Sequence, residues 1–221
     1  MIPKITHIIY DNDGLLLDTE PFYTEAHQAV AARYGKTFDW SIKSKIIGRK
    51  AEDSAGICIA EMGIPLTVPE YLEARRAKLE ELFPGAEPLP GAERLTRRFA
   101  GLGLPQAVAT SAERRHYDLK ASRHREWYAL FDCIVTGDDP EVEAGKPAPD
   151  IFLIAARRMK ADPEHCLVFE DSPSGIAAAR AAGMYAIAVP DPHMDHDVYR
   201  DAHEILRSLE DFDPSRWGFG I

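Results

Sequence analysis

Residues 6–20, THIIYDNDGLLLDTE, constrain this chain more than any other stretch. From Ile5 to Tyr10 only Thr6 and His7 interrupt the apolar residues. The segment therefore predicts a strand covered on both faces, as strands in parallel sheets are. Where that strand should stop, Asp11 and Asp13 appear, followed by Gly14, which lets the chain turn sharply. In open α/β sheets ligands bind at the carboxyl ends of the strands. An isolated Asp-x-Asp-Gly reads as an Asx turn. A site is favoured here because three further polar clusters fall where later strands end.

The chain downstream has two textures. Asp18-Thr19-Glu20-Pro21 signals a helix start, and Phe22, Ala26, Ala29 and Val30 follow at helical spacing up to Gly35. Residues 41–47, 52–62 and 68–83 predict further helices, and nothing between 18 and 83 reads as a strand. From Pro84, Pro- and Gly-rich punctuation brackets an alternation of strands and helices. The strands are predicted at 106–110, 132–136, 166–169 and 186–189, with helices at 92–100, 113–121, 150–159 and 175–182. That is the βαβ pattern of a doubly wound parallel sheet with right-handed crossovers. The expected organisation is an α/β core of residues 1–17 and 85–221 with an inserted all-helical domain at 18–84.

Four clusters would then meet at the strand tips: Asp11 and Asp13; Thr110-Ser111; Lys146, after an acidic loop; and Glu170-Asp171, with Ser172 as helix cap and Pro173 at the first helical position. Thr110-Ser111 can also start the next helix, offering a hydroxyl and backbone N–H groups as an anion cradle. Neighbouring strands lie about 5 Å apart, so the four acidic side chains would crowd. Two like charges at 4 Å repel by about 4 kcal/mol at an effective dielectric of 20. Oxygen ligands in need of positive charge point to Mg²⁺, with Lys146 as a fixed second cation. The chain as a whole is acidic, with 36 Asp and Glu against 26 Lys and Arg and a formal charge of −10. Nucleic acid as a main partner is therefore not expected. The three cysteines are far apart, no apolar run approaches membrane-spanning length, and no cleavable apolar leader is evident. A cytoplasmic monomer with reduced thiols is the expectation.

Taken in order, DNDGLLLDTE, VATS, GKPAPDIF and FEDSPSG resemble the four motifs of the haloacid dehalogenase-like hydrolase superfamily. The resemblance covers nearly the whole chain, and the helical insertion is similar to the cap of its subfamily I. ARYGKTFDWSIKSK, GRK, SRHREWYALF and GDDPEVEAGKPAPD further resemble the branch containing pseudouridine-5′-phosphatase and the plant glycerol-3-phosphatases. The resemblance implies a Mg²⁺-dependent phosphatase for a small phosphomonoester: a polyol, sugar or nucleotide phosphate. It implies Asp11 as nucleophile and Asp13 as general acid and base, protonated when substrate binds and so raised in pKa. Mg²⁺ would be held by Asp11, the Asp13 carbonyl and Asp171, with Glu170 a direct or water-mediated ligand. Thr110, Ser111 and Lys146 would hold the phosphoryl oxygens. Tyr10 and Asn12 depart from the family pattern, where Phe and Met are common. Asn12 is expected to point away from the aspartates into the core, where its amide needs a partner.

In the helical insertion, Glu20, Arg49 and Lys50 are candidate substrate contacts, although solvated positions explain Glu20 as well. The run Arg114-Arg115-His116 through Lys120 to Arg125 is interleaved with acids and predicts a solvated helix face. Two competing functions share the core residues. A phosphomutase would let the bound product reorient, and a catalytically silent binding protein would cleave nothing.

Overall fold

The computed structural model describes residues 4–46 and 51–219. Its first strand, β1 (His7–Tyr10), begins two residues later than the apolar run. It is followed by β2 (Leu17–Asp18), α1 (Glu20–Ala32), α2 (Trp40–Ile46), α3 (Ala51–Met62), α4 (Val68–Leu82), β3 (Glu87–Pro88) and α5 (Ala92–Gly101). Then come β4 (Gln106–Ala109), α6 (Arg114–Ala121), α7 (Arg125–Tyr128), β5 (Cys133–Val135), α8 (Asp150–Arg158) and β6 (Cys166–Glu170). The chain closes with α9 (Pro173–Ala181), β7 (Tyr185–Ala188) and β8 (Glu204–Ile205). Arg49 and Lys50 lie outside the described residues.

Six strands form one parallel sheet in the order β5-β4-β1-β6-β7-β8. From β1 the chain winds first toward β4 and β5, then returns to build β6, β7 and β8 on the other side. The order reverses between β1 and β6, and their tips, Tyr10 beside Phe169, mark the crevice where ligands bind in such sheets. The expected α/β architecture is what the structure has. The short β2–β3 ladder, pairing Leu17 with Pro88 and Asp18 with Glu87 antiparallel, was not anticipated, because two-residue strands leave no periodicity to read. The same holds for α7 and β8.

The central strands β1, β4, β6 and β7 are buried and largely apolar. On one face Ile9, Val135, Phe152, Val168 and Ile176 pack in a continuous core. On the other, Tyr10 stacks on Phe169 at 5.4 Å between ring centroids and meets Phe131 edge-on at 5.9 Å. The Tyr10 hydroxyl is fully buried and would cost roughly 1–3 kcal/mol without a partner. Its partner is Gln106, whose Oε1 accepts it at 2.9 Å, while Gln106 Nε2 donates to the Thr96 carbonyl at 3.0 Å. Trp127 and Phe219 close the same side, Trp127 Nε1 donating to Thr96 Oγ1 at 2.7 Å and the Phe219 ring lying 5.0 Å from Phe99.

Two compact units divide the chain: one runs to Asp18 and resumes at Glu87, and the other is Thr19–Ala86. The second unit is helical and has a core of its own around Val30, Phe38, Ile42, Cys58, Met62 and Tyr71. Its longest helix, α4, starts with a capping box, in which Thr67 Oγ1 accepts from Glu70 N and the Glu70 carboxylate accepts from Thr67 N. Buried between α1 and α4, His27 Nδ1 lies 2.8 Å from the Tyr71 hydroxyl. Burial, with Arg75 and Lys43 nearby, pushes His27 down to about 3, so it is a neutral structural residue at physiological pH.

The chain leaving β5 passes hard against the chain leaving β4. A Cβ on Gly137 would sit 2.3 Å from the Ser111 carbonyl oxygen, and that contact is backbone to backbone. Gly137→Ala is therefore expected to cost roughly 1–3 kcal/mol, read as a lower denaturant midpoint with unchanged m-value. An unshifted midpoint would contradict this packing.

Candidate active site

Asp11 follows β1 directly, and its N–H donates to the Phe169 carbonyl at 3.0 Å, prolonging the ladder by one residue. Its side chain is therefore fixed at the tip of the sheet's central crevice. The turn behind it is tight, with the Asn12 carbonyl accepting from both Leu16 N and Leu17 N at 3.0 Å. Gly14 has φ +75°, and a Cβ there would lie 2.5 Å from Asp171 Oδ2. Glycine both turns the chain and makes room for the β6 carboxylate to approach. Gly175, inside α9, makes room for Glu170: a Cβ there would overlap the carboxylate.

Asp11, Glu170 and Asp171 each offer an oxygen that lies within 4.8 Å of the others. Among the described residues, Lys146 is the cation paired with this group. Lys146 Nζ donates to Asp11 Oδ1 at 2.6 Å, Glu170 Oε1 at 2.5 Å and the Ala109 carbonyl at 3.1 Å, using all three of its protons. The loop carrying Lys146 is itself anchored: Asp150 Oδ2 accepts from Glu143 N and Ala144 N, and Arg158 grips Asp139. The second Glu170 oxygen accepts from Ser172 N at 2.7 Å and Ser172 Oγ at 2.9 Å. Ser172 caps α9 by accepting from Gly175 N at 3.0 Å, as its sequence position predicts.

Burial dominates the electrostatics of the group. It raises Asp11 to about 7, with Glu170 and Asp13 adding to the rise and Lys146 opposing it. Asp171 is pushed well above the usual carboxylate range by burial and by its neighbours Glu170 and Asp11. Burial works against the Lys146 charge, but Asp11 and Glu170 outweigh it and hold the ammonium firmly protonated. Three crowded carboxylates, with Asp11 and Asp171 raised in proton affinity, are a hard oxygen set short of positive charge. That is the donor chemistry a divalent cation satisfies.

Thr110 follows β4, where its N–H donates to the Val135 carbonyl at 3.0 Å. Its hydroxyl donates to Asp13 Oδ2 at 3.3 Å and accepts from Ala112 N at 3.1 Å. Thr110-Ser111 does not start the next helix: α6 begins at Arg114 with Glu113 before it. The Thr110 hydroxyl closes a turn instead, because its own strand tip already engages the backbone. Ser111 is exposed in that turn. Glu20 is exposed in the helical unit and pairs with Lys43 at 2.9 Å.

Two features of the site escape sequence reading. Lys120, placed by its charged neighbours on a solvated face, is 1% exposed, and its Nζ lies 2.5 Å from Asp13 Oδ1. On α6 the buried positions are Tyr117, Lys120 and Ala121. Their i, i+3, i+4 spacing was the available signal, masked by the surrounding charges. The second feature is the partner of Asn12: the residue turns into the core as expected, and its Oδ1 accepts from the Tyr128 hydroxyl at 2.5 Å. Its Nδ2 has no partner among the described residues.

The raised Asp11 proton affinity has a definite sign. Folded Asp11 near 7 keeps its proton where the unfolded group, at 3.8, has lost it. Its stabilising contribution is therefore present below about pH 4 and lost as pH rises through 7. In chelator-treated protein, the melting temperature of the wild type relative to Asp11→Asn should fall between about pH 4 and pH 8. A difference that is flat or rises over that interval would contradict the assignment.

A family model described as haloacid dehalogenase-like hydrolase matches residues 5–183. The (DL)-glycerol-3-phosphatase 1, mitochondrial, of Arabidopsis thaliana is 50% identical over 220 residues, spanning 97% of this chain and 74% of that protein. A Drosophila melanogaster protein named Probable pseudouridine-5′-phosphatase is 42% identical over 221 residues, spanning 99% and 96%. Among solved structures, a HAD family hydrolase from Deinococcus radiodurans R1 with bound phosphate and sodium superposes with a TM-score of 0.78 at 25% identity, covering 96% and 95%. With the site at the strand tips and a model match over most of its length, the chain belongs to the haloacid dehalogenase-like hydrolases.

Proposed function

We propose that this protein is a Mg²⁺-dependent phosphatase that hydrolyses a small phosphomonoester through a phosphorylated Asp11, with the helical unit as its cap. The observation that carries the reading is the gathering of Asp11, Glu170 and Asp171 around Lys146 beside Asp13 and Thr110. Relatives named as phosphatases at 42–50% identity support the reaction class.

In this mechanism Asp11 attacks phosphorus from the tip of β1, held in place by its backbone bond to β6 and by Lys146. Asp13 gives a proton to the departing alcohol, then takes one from the water that attacks phosphorus of the phosphoryl-Asp11 intermediate, breaking its bond to Asp11 and releasing phosphate. Thr110, Ser111 and Lys146 face the phosphoryl oxygens and absorb the charge that develops on them. The cation would be held by Asp11, Asp171 and the Asp13 carbonyl, with Glu170 behind them. When bound, it neutralises the carboxylates and the phosphoryl group, which together would otherwise repel. Glu170 has one oxygen on Lys146 and the other on Ser172, so orienting Lys146 and the β6 loop is its principal role.

Substrates of the polyol and nucleoside phosphate type are the first to test, because the relatives are named for glycerol 3-phosphate and pseudouridine 5′-phosphate. Phosphate release should be measured across a phosphomonoester panel containing both, with Mg²⁺ and with EDTA. The expected result is release from at least one small monoester, abolished by EDTA and reduced by roughly 10³-fold or more in Asp11→Asn. Isomerised product without free phosphate would establish a mutase instead. A panel with no turnover, or a fully active Asp11→Asn, would refute the phosphatase reading.

A further inference from the structure

Among the described residues, two lysines with buried side chains meet at the site, divided between the two aspartates that follow β1. Lys146 is committed to Asp11 and Glu170. Lys120, reaching from α6, is committed to Asp13. A lysine buried to 1% exposure is retained only with a partner, since an uncompensated ammonium is costly in the interior. Here the partner is the side chain that the mechanism above asks to deliver a proton to one defined oxygen.

Asp13 is held at both ends. Its Oδ1 lies 2.5 Å from Lys120 Nζ and its Oδ2 3.3 Å from Thr110 Oγ1. The two contacts come from different elements, α6 and the tip of β4, so together they fix both the rotamer and the plane of the carboxyl group. With 21% of its side chain still exposed, Asp13 is open to the site while anchored from behind. Tyr117, one turn before Lys120, and Ala121 beside it are buried with it and pack α6 against the core. Proton transfer is sensitive to such placement, because a misplacement of 1 Å can cost about 100-fold in rate.

We infer that Lys120 is a positioning residue for Asp13, orienting its carboxyl group toward the leaving-group oxygen. This rests on the reading of Asp13 as general acid. It makes a demand that a purely structural ion pair does not: the need for Lys120 should follow the need for an acid. An alkyl phosphate expels a strongly basic alkoxide and requires protonation. p-Nitrophenyl phosphate expels a stabilised phenolate and does not.

The test uses the full chain with Mg²⁺ and follows release of the first product in the pre-steady state. Wild type, Lys120→Met, Lys120→Arg and Asp13→Asn are compared on glycerol 3-phosphate and on p-nitrophenyl phosphate. For Lys120→Met the expected result is a loss of roughly 30-fold or more in glycerol release. KM and the nitrophenolate burst rate should stay within about threefold, and Lys120→Arg should restore much of the glycerol rate. Asp13→Asn should show the same selectivity more strongly. Equal losses on both probes, or no loss on glycerol 3-phosphate, overturn the inference while leaving Asp13 as the acid. An Asp13→Asn variant that loses both probes equally, or neither, overturns the acid assignment and the inference with it. Should Lys120→Met fail to melt cooperatively, Lys120→Gln is read by the same criteria.

Discussion

The interaction on which this structure depends is repulsive. Asp11 and Asp171 stand at the tips of adjacent parallel strands beside the buried Glu170, which raises the proton affinity of both. Such a cluster survives in the interior only with compensation. Lys146 supplies part of it, through three hydrogen bonds that leave it no rotational freedom. If every acid is ionised, Asp11, Asp13, Glu170 and Asp171 still exceed Lys120 and Lys146 by two charges. A divalent cation has the charge that closes this gap, and a phosphate brought into the site then meets a neutral surface instead of an acidic one.

The fold produces this arrangement by simple means. Placing β1 between β4 and β6 brings the ends of three strands within reach of one another. Glycine then sets how closely they approach. At Gly14 and Gly175 any side chain would occupy the space taken by Asp171 and Glu170. Rigid supports follow behind. Asp150 and Arg158 brace the loop of Lys146, Ser172 braces Glu170, and the Tyr199 hydroxyl donates to the Asp171 carbonyl at 2.6 Å. Glu170 and Asp171 are thus each held by a hydroxyl from outside the acidic cluster.

How much of this the sequence reveals depends on the range of the signal. The strands β1, β4, β5, β6 and β7 are legible because they are largely apolar, and the ends of β1, β4 and β6 because acids and hydroxyls interrupt that pattern abruptly. Lys120 is not legible, since its burial is decided by how α6 packs and its neighbours on the chain are charged and exposed. Nor is the Thr110 turn, because whether a threonine caps a helix or a turn depends on where the following helix starts. Tyr10 and Asn12 show the same limit from the other side. Both place a polar group in an apolar layer, and the residues that receive them, Gln106 and Tyr128, are 96 and 116 positions away. Nothing local to the first motif could have named those partners.

The central claim is that a divalent cation completes the acidic cluster, and calorimetric titration of Mg²⁺ into the chelator-treated protein near neutral pH tests it most directly. One site per chain is predicted, with binding weakened at least tenfold in Asp171→Asn and in Asp11→Asn. Repeating the titration in buffers of different ionisation enthalpy should reveal protons released on binding, since Asp11, at about 7, is partly protonated before the cation arrives. Absence of binding, or a wild-type isotherm in both variants, would contradict the account.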